Sequence, residues 1–92
     1  MILGKWRLLS QGGRPVPAGR KETVEFTADG KQTTIMMTQT LNNTYKFVDD
    51  QTIQQYFRDQ PTSKYIVAVT KSDLSLACPT NQDLDVTYKR VN

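Results

Sequence analysis

Ninety-two residues, 37% of them apolar and 23% charged, supply material for one small domain and no second core. Histidine is absent, which removes the commonest general base and transition-metal ligand, and the single Cys78 excludes an internal disulfide or a cysteine-rich zinc site. The longest unbroken apolar run, Tyr65 to Val69, is far too short for a membrane-spanning helix. Neither an enzyme nor a cofactor is expected.

The net charge of +3 is uneven. Lys5, Arg7, Arg14, Arg20 and Lys21 precede the first acid, Glu22, and acids outnumber bases thereafter. These cations are dispersed, unlike the clustered footprint of nucleic-acid binders. Twelve threonines and seven valines against four alanines suit pleated sheet better than helix.

Lys5–Ser10 alternates with Trp6 and Leu8 on one face, predicting the first strand. Residues 11–21, holding Pro15, Pro17 and three glycines, read as a loop because proline cannot donate to a sheet ladder. Glu22–Ala28 places Val24 and Phe26 inward and runs into Asp29-Gly30, the pair a two-residue type I′ turn requires. Gln32–Thr40 is predicted as a strand with Ile35 and Met37 inward, turning at Asn42-Asn43, where Asn42-Asn43-Thr44 also matches a glycosylation sequon. Thr44–Val48 presents Tyr45 and Phe47. After Asp49-Asp50, Thr52–Arg58 presents Ile53 and Phe57, and residues 59–63 form a loop around Pro61. Lys64–Lys71 presents Tyr65, Val67 and Val69, then Leu74–Cys78 presents Leu74 and Leu76. Asp85–Val91 closes the chain with Val86, Tyr88 and Arg90.

Eight short antiparallel strands in sequence order predict an all-β, up-and-down meander over residues 1–92, closed as a small barrel without exposed edges. A half-barrel completed by a second copy is the alternative, so monomer and homodimer both stand. A barrel of eight strands has an interior that side chains just fill or that admits one small ligand. Alternation and aromatic content nominate Phe26, Met37, Tyr45, Phe47, Phe57, Tyr65 and Tyr88 as lining residues.

Gly4-Lys5-Trp6 at the first strand, together with the final Tyr88-Lys89-Arg90-Val91, resembles the small bacterial lipocalin-like domains of the calycin type. The resemblance implies a barrel whose Trp6 plugs one end with Arg90 across its indole, and a small hydrophobic ligand inside. The sequence lacks the disulfide usual in classical lipocalins. Val86, two residues before Tyr88, stands where fatty-acid-binding proteins keep the arginine of their anion site.

Two other readings differ in class. A plugged barrel could serve as a protein-interaction or inhibitor-type module that uses residues 11–21. Tyr56, with Lys46, Arg58 and Lys64, could form a single-strand nucleic-acid platform, but Asp49, Asp50 and Asp59 oppose phosphate there, so no nucleic acid is expected. Asp83 and Asp85 sit beside turns, where aspartate accepts backbone hydrogen bonds, and Cys78 has no histidine to activate it. Strand-like sequence beginning at Leu3 or Lys5 leaves no room for a secretory leader. The compartment stays open between cytoplasmic and exported after leader removal.

Overall fold

The computed structural model describes residues 2–91. Among these residues nine strands form one antiparallel sheet: β1 (Gly4–Gln11), β2 (Arg14–Pro15), β3 (Thr23–Phe26), β4 (Lys31–Met36), β5 (Gln39–Asp49), β6 (Thr52–Phe57), β7 (Gln60–Val69), β8 (Asp73–Ala77) and β9 (Val86–Arg90). Each strand from β3 onward pairs with the next, and β1 pairs with both β3 and β9. The eight long strands therefore close into an up-and-down barrel within one chain, and β2 hangs on the end of β1. Closure leaves no partner strand for a second copy to supply, which corrects the half-barrel alternative.

The strands alternate in direction, so the connections divide between two ends. The β3–β4, β5–β6 and β7–β8 turns lie at the end where β1 begins, called here the N-terminal end. The β4–β5, β6–β7 and β8–β9 connections and the segment after β1 lie at the opposite end. There Val16 packs against the core, Val16 N–H donates to the Leu9 carbonyl at 2.9 Å, and Gly12 N–H donates to the Asp85 carbonyl at 2.7 Å.

Trp6, Leu8, Val24, Phe26, Tyr45, Ile53, Leu74, Leu76 and Tyr88 form the buried core, joined by Ile2 from ahead of β1. Burying side chains of this size contributes about 1.5–3 kcal/mol each. Register explains their common facing: Trp6 stands opposite Val24 and Arg90, Leu8 opposite Tyr88, and Leu74 opposite both Tyr88 and Val69. Three irregularities interrupt the ladders. Two of them bulge Leu9 and Val48 out of register, which leaves both apolar side chains exposed.

The predicted inward placement of Ile35 and Met37 is overturned. Thr27 N–H bonds the Lys31 carbonyl, and Gly30 takes φ +85° while Asp29 stays out of the left-handed region. The turn thus holds three residues, Ala28 to Gly30, instead of two. One added residue reverses the parity of the strand that follows, β4. Phe26 faces Gln32 and Val24 faces Thr34, so Gln32 and Thr34 point inward and Ile35 outward, 43% exposed. The chain next turns at Met37-Thr38, with Met37 79% exposed at the tip, and Asn42-Asn43 lies inside β5. Likewise β6 and β7 join through a tight Arg58-Asp59 turn, and Pro61 lies within β7, not in a loop.

Candidate functional site

The barrel is sealed at the N-terminal end on one side and open on the other. On the sealed side Trp6 is fully buried, and its Nε1 donates to the Ile2 carbonyl at 2.8 Å. The Arg90 guanidinium lies over the indole, 4.1 Å from the ring centroid. Its Nη1 donates to the Leu3 carbonyl and its Nε to the Lys71 carbonyl, both at 2.9 Å. One cationic side chain thereby ties the start of β1, the β7–β8 turn and β9 together over the tryptophan. A guanidinium on an indole face is worth ~0.5–2 kcal/mol, more as it is desolvated.

Across from this plug the inner wall is not covered. Phe47 points inward, opposite Ile53, yet remains 42% exposed, and the inward Val67 and Val69 are only half-buried. A cavity of about 1260 Å³ opens there. Tyr45, Phe47, Val67, Val69, Leu74 and Tyr88 line its inner wall, while Ile2, Leu3, Ala28, Asp50, Gln51, Thr70 and Asp73 form its mouth. Its wall continues over Leu9, Ala68, Ser75 and Thr87 on the outer face, so the volume is shared between the mouth and an external groove.

The seven predicted lining residues separate. Tyr45, Phe47 and Tyr88 line the cavity. Phe26 is sealed in the core, meeting Tyr45 edge to face at 5.2 Å between ring centroids. Tyr65 packs against the core without reaching the cavity. Phe57 lies at the opposite end of the barrel, 41% exposed under Arg58, and Met37 lies on the tip of the β4–β5 turn. Neither lines the cavity. Ile2, Leu3, Asp50 and Gln51 escaped the sequence reading because they belong to no alternating strand pattern.

The tyrosine hydroxyls do not converge. Tyr45 donates to the Thr27 carbonyl at 2.7 Å, bracing the β3–β4 turn. Burial pushes the Tyr88 hydroxyl well above the ordinary tyrosine range, and the nearby Glu22 carboxylate adds to the rise. Burial raises Tyr65 too, against a hydrogen bond to Ser63 that lowers it. Glu22 is itself held by Arg20, whose Nη2 donates to its Oε1 at 3.0 Å. Arg20 also donates to Gln11 Oε1 at 3.1 Å. Residues 11–21 are thus folded onto the barrel instead of projecting from it.

Several of the acids are structural. Asp49 accepts from Gln51 N–H at 2.9 Å, Asp85 from Cys78 N–H at 2.7 Å, and Asp73 meets Lys89 at 3.3 Å. Among the described residues no group of three or more carboxylate or thiol side chains could hold a metal ion. No described helix is long and apolar enough to cross a membrane. On the inner face Gln32 is buried and its Oε1 has no hydrogen-bond partner. Lys46, Gln54 and Lys64 stand side by side across β5, β6 and β7, while Tyr56 is half-buried.

No protein-family model matches the chain, and no curated protein matches it significantly.

Proposed function

We propose that this barrel is a non-catalytic, lipocalin-like binding domain that takes a small hydrophobic molecule into the mouth formed by β5, β7, β8 and β9. The carrying observation is the combination of an open cavity with inward apolar side chains left in contact with solvent. A core-only barrel buries Phe47, Val67 and Val69, because each apolar Å² left in water forgoes ~25 cal/mol. A mostly apolar concavity with few polar groups is the usual form of a small-molecule site. The protein-interaction reading has less support, since the segment it would use is packed against the barrel by Val16 and Arg20.

The test is uptake of N-phenyl-1-naphthylamine, a neutral apolar dye whose emission rises on burial. Saturable uptake that is lost in Val67→Trp, which fills the mouth, supports the reading. Native mass spectrometry of freshly purified protein adds the mass of any resident molecule. Absence of saturable uptake by a protein that purifies bare overturns it.

A further inference from the structure

The charge at the mouth selects among hydrophobic ligands. Among the described residues, Asp50 and Asp73 are the charged side chains lining the cavity, and neither lysine nor arginine lines it. Asp73 is spoken for: Lys89 Nζ lies 3.3 Å from its Oδ1, and Ser72 Oγ donates to its Oδ2 at 3.1 Å. Asp50 has no hydrogen bond or ion pair among the described residues. Its neighbour Asp49 caps Gln51 N–H, which leaves the Asp50 carboxylate as the uncompensated charge at the opening. The cations of this end are engaged elsewhere or stand off the cavity wall. Lys31 pairs with Asp29 at 3.6 Å, Arg90 lies across Trp6, and Lys71 is not part of the lining. Just inside, Phe47 is exposed and meets Tyr45 edge to face at 6.3 Å between centroids. Phe47 is thus an exposed aromatic ring in the lining, and the face of such a ring attracts a cation.

We propose that the preferred ligand is an amphipathic cation: an apolar body seated on Val67 and Val69, and an amine or quaternary ammonium group at Asp50, with Phe47 also in the lining. This rests on the ligand-binding reading above and specifies its chemistry. A carboxylate would meet Asp50 with like charge and gain no cation from the wall. A neutral alcohol would gain the apolar contacts alone.

The experiment is isothermal titration calorimetry with decylamine, decanol and decanoate, each below its micelle concentration, at 20 mM and 300 mM salt. Decylamine is expected to bind about 1.5-fold to fivefold more tightly than decanol at low salt, the range that a partly exposed ion pair supplies. The preference should shrink at high salt and vanish in Asp50→Asn, while decanol affinity stays level. Asp50 is an exposed turn residue without a side-chain partner among the described residues, so the variant is expected to fold, and an unchanged thermal melt would verify it. Equal binding of amine and alcohol, tighter binding of decanoate, or an amine preference that survives Asp50→Asn overturns this inference and leaves the ligand-binding reading standing. Failure of all three probes to bind overturns both.

Discussion

A Cβ built on Gly4 would stand 2.6 Å from Arg90 Nη1, so the first residue of β1 and the last residue of β9 exclude one another's bulk. Gly4 also holds φ +118°, a conformation that side chains disfavour. The spacing Gly4-x-Trp6 then acquires a mechanical meaning. The glycine leaves a gap through which the guanidinium reaches the Leu3 carbonyl, and the tryptophan two residues on receives its face.

Gly4→Ala should accordingly lose ~1–3 kcal/mol from backbone strain alone, with a further loss from displacing Arg90. In an Arg90→Ala background the second part is already gone, so the two substitutions together should cost less than their sum. Urea unfolding followed by Trp6 emission measures all three variants. Strict additivity would show that the close approach carries no energy. Trp6→Ala, read by circular dichroism, should cost ~3–5 kcal/mol, enough to endanger a domain this small.

Ile35 and Gln32 exchange the roles that hydrophobicity assigns them. Gln32 is buried with an unpartnered Oε1, and Ile35 stands in solvent. Gln32→Leu should therefore be neutral or stabilising by ~1 kcal/mol, because it removes a buried acceptor without a partner. Ile35→Thr should fall within ~0.5 kcal/mol of the parent, as exposed substitutions do. Chemical denaturation separates this from the opposite register, in which Ile35→Thr would open a cavity at a cost of several kcal/mol.

That exchange marks where the sequence stops being legible. Strand existence, chain-order pairing and barrel closure follow from alternation and turn spacing, and every strand that closes the barrel except β4 carries its apolar face as read, β6 with Ile53 buried but not Phe57. The β3–β4 connection does not, because Asp29-Gly30 suits a two-residue turn and also a three-residue turn that ends in a left-handed glycine. The choice is made by tertiary pairing, with Tyr45 hydrogen-bonded to Thr27 and Gly30. The Asn42-Asn43 signal failed for a related reason: once β4 turns at Met37-Thr38, the asparagines are committed to pairing with Thr33 and Gln32. The cavity was legible only in its strand residues, Tyr45, Phe47 and Tyr88. Its mouth is assembled from turns and the segment before β1, where no periodicity reports which way a side chain points.

The β6–β7 turn offers a direct gain in stability. Arg58 and Asp59 hold φ +52° and +65°, both in the left-handed region. That is the geometry of a type I′ turn, for which Asn-Gly is the preferred pair. Replacing Arg58-Asp59 by Asn-Gly should raise stability by ~1 kcal/mol and the melting temperature by several degrees, after allowance for the Arg58–Phe57 contact. Differential scanning calorimetry reads the change. A fall in melting temperature would mean that the Arg58–Phe57 contact outweighs the backbone strain.

Tyr88 sets an alkaline limit to stability. In the unfolded chain its hydroxyl ionises near 10.0, whereas burial, with Glu22 nearby, keeps it protonated well above that in the fold. Above pH 10 the folded state binds more protons than the unfolded one, so stability is whole below that pH and falls as pH rises. For one fully suppressed group the slope approaches ~1.4 kcal/mol per pH unit. Tyr65 and Tyr45 are raised by burial as well and add to the decline. On the acid side Asp73 is lowered by hydrogen bonds from Lys89 and Ser72, and Asp49 by that from Gln51 N–H. Both contribute above the ordinary carboxylate pKa and lose their contribution as pH falls through their own, a shallow effect because both are exposed. Urea midpoints at pH 8, 10 and 11 should drop steeply for the parent and less for Tyr88→Phe, which has no proton to lose. Equal drops in the two proteins would assign the alkaline loss to other groups and remove Tyr88 as its cause.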